Sequence, residues 1–383
     1  MGTNKDQDDD ESDDPFACFD SSDDEEDDDG NDGDASGQAD QQQIKIQNEE
    51  QNRRDPGNGV LAFHAGTEIA LFHHVQTQLS TMKAAPAADV DVDTDVTRAM
   101  IRNAQTVLDL VDSYCLSRHW MMHVGPEKAT PLRKFIGDCL AETGRTTDGS
   151  NSAFTFVELG TYCGYSSIFF AKTMLEHDWN HGKTTATTTA TATTSTTTTT
   201  TSVEDALSFH IYSVEVVEKF AAVAKELIRL AGMEAYITVI LMTDPDARAK
   251  GSSLSSELKS RLPDASNDHG AETATIDFLF VDHDKSMYLP HLQELEETGM
   301  IRTGTHVAAD NVVFAEIDEY RHYMADLASK GIVATRLEDA LMVEYCQPEL
   351  LVQQQEDAST SVAITKDMLR DGIEFSVYLK DPR

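Results

Sequence analysis

Cysteine is scarce and unpatterned: Cys18, Cys115, Cys139, Cys163 and Cys346 are odd in number and form no C-x-x-C pair. A disulfide framework or thiolate zinc cluster is therefore not expected, and reduced cytosolic thiols fit better. Positive charge is short as well, with 30 Lys and Arg against 68 Asp and Glu and a net charge of −38. So acidic a surface repels nucleic-acid phosphates and anionic membranes, and neither is expected as a partner. No apolar run reaches the roughly 20 residues of a bilayer span, and no basic n-region precedes an apolar h-region. The expectation is a soluble, cytoplasmic monomer. The start Met-Gly-Thr-Asn-Lys-Asp has Asp6 where a myristoylation signal needs Ser or Thr.

Aliphatic side chains are nearly missing from residues 1–57, and residues 1–50 hold 20 Asp and Glu against two Lys. Such a stretch cannot bury enough apolar surface to offset chain entropy, so it reads as a disordered acidic tail. Ser21 and Ser22 lie in an acidic setting that suits an acidophilic kinase, although a solvating tail is the simpler expectation. A Thr-rich tract at about 180–205 and a Gln-rich stretch at about 347–370 have no hydrophobic period and read as insertions. The remaining chain, 58–383 without them, leaves roughly 270 residues, the size of one α/β domain.

Helical periodicity runs from Gly66 to Leu79 and from Thr97 to His119. His73 and His74 have no metal-ligand companions and are taken as structural. Strand-like runs follow at 154–159, 210–215, 236–241, 276–282, 305–310, 335–345 and 373–379, with helical patterns between the first five and after the fifth. Strands spaced by helices imply a mostly parallel sheet, and the last two, with no helix between them, imply a terminal antiparallel hairpin. The fold class is α/β: a Rossmann-like, seven-stranded sheet with helices on both faces.

The stretch FTFVELGTYCGYS, 154–166, passes from an apolar strand through Gly160 and Gly164 into an apolar helix. Such a junction sets backbone N–H groups and a helix N-terminus at the carboxyl edge of the sheet, where nucleotide-like ligands sit. Three acids end three strands: Glu215, Asp282 and Asp310, the last beside Asn311. Glu215 follows Gly160 by 55 residues. With about 30 of them inserted, that separation suits an acid on ribose hydroxyls, and hence an adenosine cofactor. Asp282, Asp310 and Asn311 offer hard oxygen donors suited to Mg²⁺. Lys285 stands three residues after Asp282, and a lysine beside a divalent cation gives up its proton more readily.

The blocks HWMMHVGPEKA (119–129), VELGTYCGYSS, IYSVEV, FVDHDKSMYLPHL and AADNVV resemble, in order, those of the catechol O-methyltransferase family, from about Asn58 to Lys380. That resemblance implies a class I methyltransferase that uses S-adenosylmethionine and Mg²⁺ on a small phenolic substrate. It implies Asp282, Asp310 and Asn311 as metal ligands, Lys285 as the base, and Glu344 as the acid that binds the second catechol hydroxyl. It also implies a cofactor site of Met122, Val124, Glu158, Gly160, Tyr162, Gly164, Ser166, Glu215, Val216 and His283. Trp120 matches one aromatic wall of the substrate site. The family's other aromatic and its proline wall are replaced by Asp284 and Ala315, so a wider, more polar site is expected. Alternatives are a methyltransferase for a phenylpropanoid thioester, an adenosine-dependent oxidoreductase, and a non-catalytic protein whose acidic tail binds partners. The spacing Gly160-x-x-x-Gly164 speaks against the oxidoreductase, whose glycines would be Gly-x-Gly-x-x-Gly.

Overall fold

The computed structural model describes residues 67–84, 96–117, 121–143, 153–180, 209–242, 253–263, 274–341 and 370–382. The acidic tail, nearly all of both insertions, and the site candidates Trp120 and Glu344 lie outside the described residues.

Three helices come first: α1 (Thr67–Ala84), α2 (Val96–Ser117) and α3 (Gly125–Thr143). Then follow β1 (Phe154–Leu159), α4 (Tyr165–Asn180), β2 (Phe209–Glu215), α5 (Glu218–Ala231), β3 (Ile237–Leu241) and α6 (Leu254–Arg261). The chain continues through β4 (Phe278–Val281), α7 (Tyr288–Glu297), β5 (His306–Ala309), α8 (Asp318–Ser329), β6 (Val333–Leu341) and β7 (Arg370–Tyr378). The sequence reading assigns no helix to 125–143, and α3 corrects it. Leu132, Phe135, Ile136, Cys139 and Leu140 are buried at helical spacing, but Pro126 and Pro131 mask the pattern. A first-turn proline costs little, whereas Pro131 lies inside the helix and its cost must be offset by that burial.

The seven strands form one sheet in the order β3-β2-β1-β4-β5-β7-β6. Strands β1 to β5 run parallel, and β7 lies antiparallel to both β5 and β6. Every residue of β1, β4 and β5 is buried. Covered on both faces, such strands read as continuous apolar runs. Alternate side chains divide between the faces. On one, Phe156 stacks on Phe278 at 4.8 Å, with Phe170 of α4 against both and Phe135 of α3 against Phe278. On the other, Val157, Leu159, Leu279 and Val281 join a core with Leu292 and Leu295 of α7. Each such side chain contributes about 1.5–3 kcal/mol by burial, so the strand ends are held firmly in register. Because β1 lies between β2 and β4, the direction of winding reverses there, and a crevice opens at the carboxyl ends of these strands.

Candidate active site

Between β1 and α4 the backbone takes positive φ at Gly160 (103°), Tyr162 (46°) and Gly164 (80°). At Gly160 a Cβ would stand 2.2 Å from the carbonyl oxygen of Asp282. The glycine turn therefore touches the end of β4 directly. Tyr162 is held from two sides: its N–H donates to Glu215 Oε2 at 2.7 Å and its hydroxyl to Glu68 Oε1 of α1 at 3.0 Å.

Glu158 and Glu215 flank this turn. Glu215 also accepts the N–H groups of Val216 at 2.8 Å and Val217 at 2.9 Å through Oε1. Burial raises its carboxyl despite those N–H donors. Glu158 is fully buried, and its Oε2 accepts from the hydroxyls of Ser167 and Ser213. Its Oε1 is buried with no hydrogen-bond partner among the described residues, as an oxygen kept for a cationic ligand group would be. Burial pushes the Glu158 carboxyl up to about 7, against the lowering effect of Ser166, Ser167 and Ser213.

A carboxyl raised on folding lends stability that is complete below its unfolded value, near 4.3, and is lost as pH climbs through its folded value. For Glu158 the swing is about 3 kcal/mol. Glu158→Gln should therefore gain stability relative to the parent chain between pH 5 and pH 8, as read from urea midpoints at both. A difference between the two proteins that stays constant with pH would contradict this.

On the β4 side, Lys285 Nζ donates to Asp282 Oδ1 at 2.9 Å, Asn311 Oδ1 at 3.1 Å and the Tyr288 hydroxyl at 2.7 Å. Tyr288 in turn donates to the Asp310 carbonyl at 3.0 Å. Three of the expected residues thus meet at one point. Asp310 also accepts the Asn311 N–H at 2.8 Å and pairs through the same Oδ1 with Lys128 of α3 at 2.9 Å. Lys128 reaches Asp371 Oδ2 as well, at 2.7 Å. Burial raises the Asp310 carboxyl although Lys128 opposes it, whereas at Asp371 burial is outweighed by Lys128 together with the N–H groups of Phe314 and Gly372, which hold that carboxyl low.

No three His, Cys, Asp or Glu side chains cluster as a metal cage would among the described residues. The available donors are two carboxylates and one amide oxygen. They fit a hard ion that keeps water or substrate in its other positions. Asp282 and Asn311 already turn oxygens toward a single cation, the Lys285 ammonium.

Val124 is buried, while Met122 and Val216 are exposed. Ser166 is buried next to Ser167. Gly164 packs on α5, where a Cβ would meet that of Ala224 at 3.3 Å. His283 hydrogen-bonds His291 at 2.8 Å through Nε2 and stacks on Tyr288. Its Nδ1 has no hydrogen-bond partner among the described residues. Burial, reinforced by His291, keeps its imidazole well below the usual histidine range. Asp284 is exposed, and its Oδ1 accepts from both the N–H and the hydroxyl of Ser286, while Ala315 is half-buried.

Lys128, Asp371, Tyr288, Ser167 and Ser213 were not among the expected site residues. Asp371 had a readable signal: a final strand antiparallel to its neighbour must begin at the carboxyl edge of the parallel strands. Lys128 sits on the helix that its prolines disguise.

Among known proteins, the chain is 24% identical to catechol O-methyltransferase of Bos taurus over 226 residues, 59% of this chain and 61% of that protein. It is 27% identical to a probable O-methyltransferase of Mycobacterium tuberculosis over 266 residues, 69% of this chain and 89% of that one. A solved O-methyltransferase from Bacillus cereus superposes with a TM-score of 0.40 at 14% identity, covering 80% of this chain and 99% of the other. No protein-family model matches. No described helix is long and apolar enough to cross a membrane. The chain is thus similar, at 24–27% identity, to catechol O-methyltransferase and to a probable O-methyltransferase, and of the first it spans less than two thirds of the length.

Proposed function

We propose that this chain transfers a methyl group from S-adenosylmethionine to one hydroxyl of a catechol or similar vicinal diol, with Mg²⁺ held by Asp282, Asp310 and Asn311. The observation that carries this is the meeting of Asp282 Oδ1, Asn311 Oδ1 and Lys285 Nζ within 3.1 Å, beside a glycine turn that touches Asp282. When bound, the ion supplies Lewis acidity that makes a diol hydroxyl more acidic, and the sulfonium supplies the methyl group.

The chain's own residues bind, orient and move the proton. Lys285, once its ammonium has given up a proton to solvent, as a cation bound beside it would favour, accepts the hydroxyl proton at Nζ. Tyr288 has its own proton committed to the Asp310 carbonyl, so toward Lys285 it acts only as an acceptor and fixes where that amine sits. Glu158 Oε1 receives a cationic group of the cofactor. Glu215 keeps lone pairs for ribose hydroxyls beyond those that its three N–H partners use. Glu158 and Asp310 are buried and so fixed in place, and holding the diol and methyl group in line supplies much of the rate. With Asp284 exposed and Ala315 small and half-buried, the rim accepts a broader and more polar diol.

The test is methyl transfer from labelled S-adenosylmethionine to catechol by the full chain, with Mg²⁺, with EDTA, and with Mg²⁺ restored. Activity should fall about a hundredfold or more with EDTA and return with the ion, since a metal's charge stabilisation is worth several kcal/mol. Full activity in EDTA would refute the metal's role. Calorimetric binding of NAD but not of S-adenosylmethionine would favour the oxidoreductase instead.

A further inference from the structure

The two ends of the Asn311 amide differ chemically, and its surroundings decide which end faces Lys285. Nδ2 donates to Asp371 Oδ2 at 2.7 Å, and Oδ1 accepts from Lys285 Nζ at 3.1 Å. The reverse orientation would set an NH₂ against an ammonium and a carbonyl oxygen against a carboxylate, losing both hydrogen bonds. Asp371 has no exposed surface, and the groups bonded to it among the described residues are donors, Lys128 Nζ at 2.7 Å, Asn311 Nδ2 at 2.7 Å and the Phe314 N–H at 3.1 Å, with the Gly372 N–H beside them. Lys128 is only 4% exposed. It ties Asp371 to Asp310 and so joins α3 and β7 to the end of β5.

We propose that Asp371 is a positioning residue for the metal and Lys128 is its anchor: together they hold the Asn311 carbonyl oxygen toward the point where Asp282 and Lys285 meet. This rests on the metal reading of the site. Asp371 acts through Asn311, and its negative charge alone does not explain the arrangement.

Asp371→Asn separates orientation from fold. Asparagine keeps the shape but not the charge that holds Lys128: with its oxygen in the place of Oδ2, which Lys128 and Asn311 share, its NH₂ meets the Phe314 N–H, and turned over its NH₂ meets Lys128 and Asn311 themselves. In the full chain, Mn²⁺ binding is followed by loss of the free-ion paramagnetic resonance signal, and S-adenosylmethionine binding by calorimetry. D371N should weaken Mn²⁺ binding by about 10–100-fold, the usual effect of removing a group that orients a ligand. Cofactor affinity should stay within about twofold, and the KM for Mn²⁺ should rise while kcat at saturating Mn²⁺ is largely kept.

Asn311→Ala removes the ligand itself, and the double variant should bind Mn²⁺ no worse than N311A alone. Additive losses, or unaltered Mn²⁺ affinity in D371N, would overturn the proposal. Should D371N fail to fold, Asn311→Asp decides: weaker Mn²⁺ binding despite the added charge supports it, and tighter binding overturns it. Absence of Mn²⁺ binding by the unaltered chain would remove the metal reading and this proposal together, and is distinct from equal binding by chain and variant.

Discussion

Gly160→Ala should eliminate cofactor binding and destabilise the fold by roughly 3–5 kcal/mol, backbone strain and overpacking each contributing. At φ 103° an alanine is strained whatever the space, and here its methyl would lie 2.2 Å from the Asp282 carbonyl oxygen. The obstacle is main chain, so no rotamer can relieve it. The loop cannot slide away easily, because the Asp282 N–H donates to the Leu159 carbonyl at 2.9 Å and the Gly160 N–H to that of Val214 at 3.0 Å. Gly304 provides the control: its φ is 91°, but nothing lies within 4 Å of a Cβ there. Gly304→Ala should therefore cost only about 1–2 kcal/mol, the backbone strain alone. Urea denaturation and calorimetry with S-adenosylmethionine would measure both variants. Equal losses in the two would show that contact with Asp282 contributes nothing.

Where neighbouring residues build a feature, the sequence displays it. β1 and its glycine turn are legible because a doubly covered strand must be apolar throughout and a tight reversal calls for residues tolerant of positive φ. Glu215, Asp282 and Asp310 are legible for a related reason, since an acid closing an apolar run marks the edge of the sheet. What escapes the sequence is long-range pairing. Lys128 and Asp371 lie 243 residues apart and meet only because an antiparallel last strand returns to the edge where α3 begins. Lys128, read locally, is one more polar residue of a helix interrupted by Pro131. Nor could spacing show that the amide of Asn311 is oriented from behind, or that Glu158 leaves one oxygen without a hydrogen-bond partner among the described residues.

Lys285→Met should lower kcat by about a hundred- to ten-thousandfold, the usual contribution of a positioned acid or base, while the Kd for S-adenosylmethionine changes little. The separation follows from placement: Lys285 bonds Asp282, Tyr288 and Asn311, whereas the expected cofactor contacts Glu158 and Glu215 have other partners. Stability should scarcely change, because the Lys285 and Asp282 side chains are 33% and 27% exposed and such pairs are worth about 1 kcal/mol or less. Mn²⁺ affinity should move the other way. An ammonium that bridges Asp282 Oδ1 and Asn311 Oδ1 competes with any cation for those oxygens, so its removal should tighten Mn²⁺ binding severalfold as turnover collapses. Single-turnover methyl transfer alongside a Mn²⁺ titration would read both. Parallel losses in turnover, cofactor affinity and metal affinity would instead make Lys285 a structural cation, and the proton would then need another acceptor.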